Sequence, residues 1–197
     1  MTQRRPSPRS LSSASATAEA RSHNRLLADA KLALRRLASA VSVVTCRDEV
    51  RNYAMTATSV SALSMEPPSI LVCINRSTEF HKALDRADEF AVNILSRAHL
   101  SVSKACSGEA NGENRFRTGA WDTSGATPVL ADAQAAIICR KVKGMRFGTH
   151  TIFMGGIVSV ATNGEVDPLI YLDGRYAARP LEGLAEVDFL MNTWRLP

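Results

Sequence analysis

Residues 51–78 read RNYAMTATSVSALSMEPPSILVCINRST. A run of small and hydroxyl-bearing side chains (Ala54, Thr56, Ala57, Thr58, Ser59, Ser61) leads to Pro67-Pro68, then to a strongly apolar stretch ending at Asn75, then to Arg-Ser-Thr. In a strand, alternate side chains share a face, so Ala54, Thr56, Thr58 and Val60 form one row, and Tyr53, Met55, Ala57 and Ser59 the other. Small residues let a planar ring approach the backbone closely, with hydroxyls and strand amides available to its polar edge. The same composition also suits a strand with one solvated face. The two prolines cannot continue a ladder and mark a loop or a strand entry. Residues 70–75 are apolar enough for a strand buried on both faces. Where that strand meets the next helix, Asn75, Arg76, Ser77 and Thr78 offer backbone N–H groups, hydroxyls and a guanidinium. That set suits a phosphate, and it also suits ordinary helix capping.

Outward from this stretch, alternation and β-branched content predict strands over 41–46, 53–63, 70–75, 90–95, 135–142, 150–161 and 168–172. Leu27, Ala30, Leu34 and Leu37, with arginines opposite, predict an amphipathic helix over 26–40, and shorter helices are expected over 78–87 and 96–106. A Gly- and Asn-rich segment over 107–130 is long enough for a compact domain to give it a function. Many strands, few helices and hairpin-like connections give a mainly β fold, a β-barrel with helical decorations, rather than a doubly wound sheet. No G-x-G-x-x-G follows a strand, and no P-loop, G-x-S-x-G or H-E-x-x-H occurs.

A length of 197 residues with 45% hydrophobic and 22% charged side chains suits one soluble globular domain. We place it at 25–180, between a disordered Arg/Ser-rich arm over 1–24 and a C-terminal tail over 181–197. The formal charge of +5 hints at nucleic acid, but it is concentrated in the arm. Outside residues 1–25, which hold five arginines and Glu19, there remain 19 basic and 18 acidic side chains. A nucleic-acid partner is therefore not expected. No run is long and apolar enough for a membrane helix, and the arm has no apolar secretory core. Cys46, Cys73, Cys106 and Cys139 lie far apart, without metal-ligand spacing, and read as reduced thiols of a cytoplasmic protein.

Further pieces with chemistry to offer are GTHTIFMGGI, with His150 at a strand entrance; DGRYA, a turn carrying Arg175 and Tyr176; and ENRF, with Arg115 and Phe116 in the long segment. Taken in order, RRLASAVSVVT, AMTATSVSALSMEPPSILVCINRS, FAVNIL, RF, WDTSGATPVL, GTHTIFMGGIV and PLIYLDGRY resemble the successive motifs of the short-chain flavin reductases. These are the NAD(P)H-dependent reductase components of two-component flavin monooxygenases, with an FMN-binding split β-barrel. The resemblance covers about residues 30–177.

The resemblance implies an NAD(P)H:flavin oxidoreductase acting on FMN or FAD with NADH or NADPH. It also implies a homodimer and a flavin-dependent monooxygenase that receives the reduced flavin. It puts Ala54, Met55, Thr56, Ala57, Thr58 and Ser59 along the isoalloxazine, and Asn75, Arg76 and Ser77 at the ribityl-phosphate end. Phe90, Ala91, Asn93, Arg115 and Phe116 would close the flavin site. His150, as the catalytic residue, and Tyr176 would lie near the nicotinamide. Two departures stand out: Ala54 replaces a glycine, and Thr149 replaces the aspartate before His150. Other outcomes compatible with the fold are a reductase that keeps FMN and acts on a cobalt corrinoid or ferric chelate, and a non-enzymatic flavin-binding electron carrier.

Overall fold

The computed structural model describes residues 13–177. Helix α1 (Ser13–Leu34) is followed by β1 (Ser39–Ala40), β2 (Ser42–Arg47), β3 (Asn52–Ala57), β4 (Val60–Met65), β5 (Pro68–Asn75), α2 (Glu79–Arg86) and β6 (Glu89–Ile94). A short helical segment containing α3 (Leu100–Lys104) leads to β7 (Trp121–Asp122) and β8 (Val129–Leu130). The long strands β9 (Ala135–Phe147) and β10 (His150–Thr162) follow, then β11 (Ile170–Leu172) and β12 (Arg175–Ala177).

The fold is mainly β, as expected. Seven strands form one sheet in the order β3-β2-β6-β9-β10-β5-β4, and β1-β11-β12 form a second. The two edge strands of the large sheet, β3 and β4, are consecutive in the chain and joined only through Thr58 and Ser59. The predicted continuous strand over 53–63 is therefore two strands on opposite edges. Ser59 anchors the crossing: its carbonyl accepts from Cys73 N at 3.0 Å, and its hydroxyl donates to Cys73 O at 2.9 Å.

Burial on both faces of β2 creates two cores. Val44 and Cys46 point into one, with Ile70, Val72, Ile74, Leu84, Phe90 and Phe153; Val41 and Val43 bound the other, with Ala54, Leu95, Val102, Cys106 and Leu130. Helix α2 covers the first core. Thr78 caps it by accepting from His81 N at 3.1 Å, and Phe80, His81, Ala83 and Leu84 form its buried face. Asn93 stitches the second core: its amide donates to Val43 O at 3.0 Å, and its carbonyl accepts from Leu130 N at 2.8 Å. A buried amide at this position holds β2, β6 and β8 together only because each of its polar atoms finds a partner.

Several expectations are corrected. The first helix spans Ser13–Leu34 rather than 26–40, so half of the predicted disordered arm is helical; residues 1–12 and the tail over 181–197 lie outside the described residues. Its expected apolar face does not pack on the chain: Leu27 and Leu34 remain exposed, as does Leu37 beyond the helix end. The strand predicted over 135–142 continues to Phe147, because every position of that basic extension has a partner on β10 or lies at a bulge. The 173–177 turn belongs to a hairpin, with Asp173 and Gly174 both at positive φ, as an Asp-Gly type I′ turn demands.

Candidate active site

A cleft of about 800 Å³ is lined by β3, the start of α2, the segment after α3 and the β11–β12 hairpin. That volume falls within the roughly 300–1,000 Å³ usual for small-molecule and cofactor sites. Its polar edge is built on Asp48 in the β2–β3 turn. One carboxylate oxygen accepts from Val50 N and Arg51 N at 3.0 and 3.1 Å; the other accepts from Tyr53 Oη at 3.0 Å and Arg86 Nη2 at 2.8 Å. The Arg86 guanidinium, helped by the two backbone amides and the phenol, holds the Asp48 carboxyl well below the usual carboxylate range. Asp48 thereby fixes the turn and the Tyr53 ring, and Arg51 stacks over that ring at 4.6 Å while pairing with Glu79 at 2.8 Å.

The opposite end rests on two hydrogen bonds made by Ser103, one through its carbonyl and one through its hydroxyl. Thr56 Oγ1 donates to Ser103 O at 2.7 Å, and Ser103 Oγ lies 2.9 Å from Tyr176 Oη. Tyr171 meets Tyr176 edge to face at 5.3 Å. Arg115 donates to Ala110 O at 2.9 Å and to Ala54 O, which ties the segment after α3 to β3. Cys106 also lines the cleft, but burial pushes its thiol up to about 11, so it stays protonated and is a poor nucleophile.

Of the residues singled out from sequence, Ala54, Met55, Thr56, Thr58, Arg115 and Tyr176 come together in this cleft. Phe116 lies beside it, half-buried against Trp121 at 5.1 Å. The structure does not bring the others to the cleft. Ala57 is buried in the first core, against which Tyr53 and Met55 of the same row also pack, and Ser59 is engaged with Cys73. Asn75 accepts from Ser77 N and Ser77 Oγ at 3.0 and 2.9 Å, and Arg76 reaches Gly148 O at 3.4 Å; in the same junction Thr78 alone lines the cleft. Phe90, Ala91 and Asn93 are fully buried core residues. His150 stands exposed at the entrance of β10, opposite Asn75, with Nδ1 2.9 Å from Thr149 Oγ1. Sequence reading missed Arg51, Asn52, Tyr53 and Glu79, as well as Ser107, Asn111, Gly112, Tyr171 and Gly174. The Arg-x-Tyr spacing at 51 and 53 puts both side chains on one strand face, but only the fold reveals the cleft there. Among the described residues, no group of three or more His, Cys, Asp or Glu is placed to hold a metal.

The family model for the flavin reductase like domain matches residues 34–179. The chain belongs to the flavin reductase like domain family. This flavin reductase like domain is 39% identical over 155 residues to the reductase component of the FADH(2)-dependent resorcinol hydroxylase of Rhizobium sp. (strain MTP-10005), covering 77% of this chain and 87% of that protein. It is 34% identical over 150 residues to the FMN reductase (NADH) RutF of Variovorax paradoxus (strain S110), covering 76% and 83%. Among solved structures, a protein of Haemophilus somnus 129pt assigned as a flavin reductase superposes with a TM-score of 0.73 at 29% identity, covering 76% of this chain and 97% of the other.

The cleft's own chemistry fits the flavin this family implies. Ala54, Thr56 and Thr58 leave one wall low, Tyr53, Tyr171 and Tyr176 supply aromatic surface, and Arg51, Asn52, Ser107 and Asn111 concentrate donors at the polar edge.

Proposed function

We propose that this protein is an NAD(P)H:flavin oxidoreductase that reduces FMN or FAD and delivers the reduced flavin to a partner monooxygenase. One observation carries the reading: in a flavin reductase like domain, the cleft joins a wall of small residues to three tyrosines and an arginine-bearing edge. Bound flavin supplies the two-electron acceptor for hydride from the nicotinamide, so no side-chain nucleophile is required. The chain's residues bind and orient. Ala54, Thr56 and Thr58 give a flat ring room, and the Thr56–Ser103–Tyr176 chain fixes the wall behind it. Arg115, with two backbone carbonyls as partners, sets the separation between β3 and the segment after α3. Preorganised positioning of this kind is what a transfer between two stacked rings needs.

We also infer the split β-barrel arrangement. Consecutive strands that sit on the two edges of the large sheet support it, because the chain itself bridges those edges. A homodimer is part of the same reading. His150 lies away from the cleft of its own chain, and Val142, Met145, Phe147, Val158 and Val160 on β9 and β10 leave apolar surface exposed for a second copy. In that arrangement His150 and its Thr149 neighbour would reach the nicotinamide side of a shared site. Four free cysteines, three of them buried, favour a reducing, cytoplasmic setting. Among the described residues, no helix is long and apolar enough to cross a membrane.

The test is oxidation of NADH and NADPH by purified protein with increasing FMN, FAD or riboflavin. A rate that saturates in free flavin supports a reductase of diffusible flavin. Flavin that stays bound through turnover while a corrinoid or ferric chelate is reduced would replace it with the bound-flavin reading. Retained flavin that neither nucleotide reduces would make the protein a carrier.

A further inference from the structure

The hydride chemistry proposed above makes no use of Arg51, yet its guanidinium is more firmly placed in the cleft than that role requires. Its backbone N–H is held by Asp48, its side chain lies on the Tyr53 ring, and that ring's hydroxyl is held by the same carboxylate. We propose that Arg51 recognises a phosphate ester of the nucleotide bound in the cleft, and that Glu79 is its resident counter-ion, exchanged for the phosphate on binding. The identity of the nucleotide rests on the flavin reductase reading; the phosphate site rests on the geometry.

The other arginines nearby are already committed. Arg115 donates to Ala110 O and Ala54 O. Arg47 donates to Asn52 Oδ1, Gly125 O and Thr123 O. Arg76 reaches Gly148 O and does not line the cleft. Arg51, by contrast, spends only Nη2, on Glu79, among the described residues. A guanidinium carries five N–H donors in a planar fork, which leaves Nε and Nη1 for an anion. The Nη1 edge lies against bare backbone: a Cβ built on Gly112, which sits at φ +54°, would be 3.5 Å from it. No side chain at 112 stands between the guanidinium and the cleft.

The resident partner is weakly held. The Arg51 and Glu79 side chains are 36% and 76% exposed, and ion pairs at such exposure contribute little. A phosphate offers three acceptor oxygens where Glu79 offers two, and Arg–phosphate pairing is among the stronger charge-assisted contacts. Two other carboxylates stand by this edge: Asp48, whose charge Arg86 pairs at 2.8 Å, and Glu113, whose Oε1 accepts from Asn52 N at 3.1 Å.

FMN and riboflavin share one ring and differ in the phosphate, so their affinities isolate this contact. Quenching of flavin fluorescence gives both dissociation constants without turnover, and the KM for NADH tests a phosphate of the dinucleotide instead. Arg51→Met keeps a side chain over Tyr53 and removes the charge. It is expected to lower the preference for FMN over riboflavin about tenfold, the size of one charge-assisted hydrogen bond. If the phosphate belongs to the dinucleotide, the FMN preference holds and the KM for NADH rises by a similar factor, which supports the site and assigns its source. Glu79→Gln acts the other way and tightens whichever phosphate-bearing ligand Arg51 reads. The proposal is overturned if Arg51→Met changes neither quantity, or, should that variant not fold, if Glu79→Gln changes neither. A wild-type protein that quenches flavin but oxidises neither nucleotide would sink the reductase reading and leave this test intact.

Discussion

Gly155 of β10 lies against the ring of Phe90 of β6, across the intervening β9: a Cβ built on Gly155 would sit 2.5 Å from Phe90 Cζ and 2.7 Å from Cys139 Cβ. Phe90 is fully buried in the first core and directly opposite Cys139 in the β6–β9 ladder. The missing side chain therefore lets an aromatic ring fill the centre of the large sheet, and that ring is why a residue of the FAVNIL motif packs in the core and not in the cleft.

Gly155→Ala forces the Phe90 ring or the β10 backbone to move. Overpacking of this kind costs about 1–3 kcal/mol, which would lower the urea midpoint measurably. Gly156→Ala is the control. Its added Cβ meets Val142 Cγ2 at 3.7 Å, ordinary van der Waals contact, and its midpoint should stay close to wild type. Equal midpoints for the two variants would contradict the packing described here.

His81 makes stability depend on pH. Its Nε2 lies 2.8 Å from Thr151 Oγ1, its ring packs on Phe153 at 5.4 Å, and burial pushes its folded-state pKa below the ordinary 6.5. As pH falls, the unfolded chain takes up this proton before the folded chain does. The stability associated with the neutral buried ring is thus fully present above pH 6.5 and is lost as pH falls through the folded pKa. The urea midpoint of wild type should decline as pH falls below about 6.5, and His81→Gln should flatten that decline. Asp48 acts lower on the scale: its carboxyl is held down in the folded state, so its contribution is present above pH 3.8 and fades below it. Parallel midpoint-versus-pH curves for wild type and His81→Gln would rule out this assignment.

Thr58 tests the small-residue wall without disturbing a core. It lines the cleft and is exposed. Thr58→Trp should raise the dissociation constant for flavin at least about tenfold by filling the space a ring would take, while the unfolding free energy from urea titration changes by no more than the roughly 0.5 kcal/mol typical of surface changes. Unchanged flavin affinity would place the ring elsewhere.

Much of this architecture was legible because local pattern and tertiary structure agree. The apolar run over 70–75 is β5, Thr78 caps α2, and FAVNIL is β6. The break at Thr58–Ser59 was not legible, since neither residue is a Gly or Pro and the alternation runs straight through it; only pairing with Cys73 on β5 turns the chain. The basic extension of β9 from Arg140 to Arg146 carries little strand propensity and is a strand because β10 pairs with it. For the site, the β3 row and Tyr176 could be read from composition and motif. Arg51 could not, because its meaning comes from Asp48, Tyr53, Glu79 and Gly112, which converge from three separate segments. Phe90, Ala91 and Asn93 mislead in the opposite direction: the motif is real, but its side chains hold the two cores together.

The most direct test of the central claim is the initial rate of NADH and NADPH oxidation as free FMN or FAD is titrated into purified protein under anaerobic conditions, followed at the absorbance of the reduced nucleotide. The account predicts negligible oxidation without added flavin and a rate that saturates in flavin, with stoichiometric bleaching of the free pool. Oxidation independent of added flavin, or flavin that neither nucleotide bleaches, would contradict it.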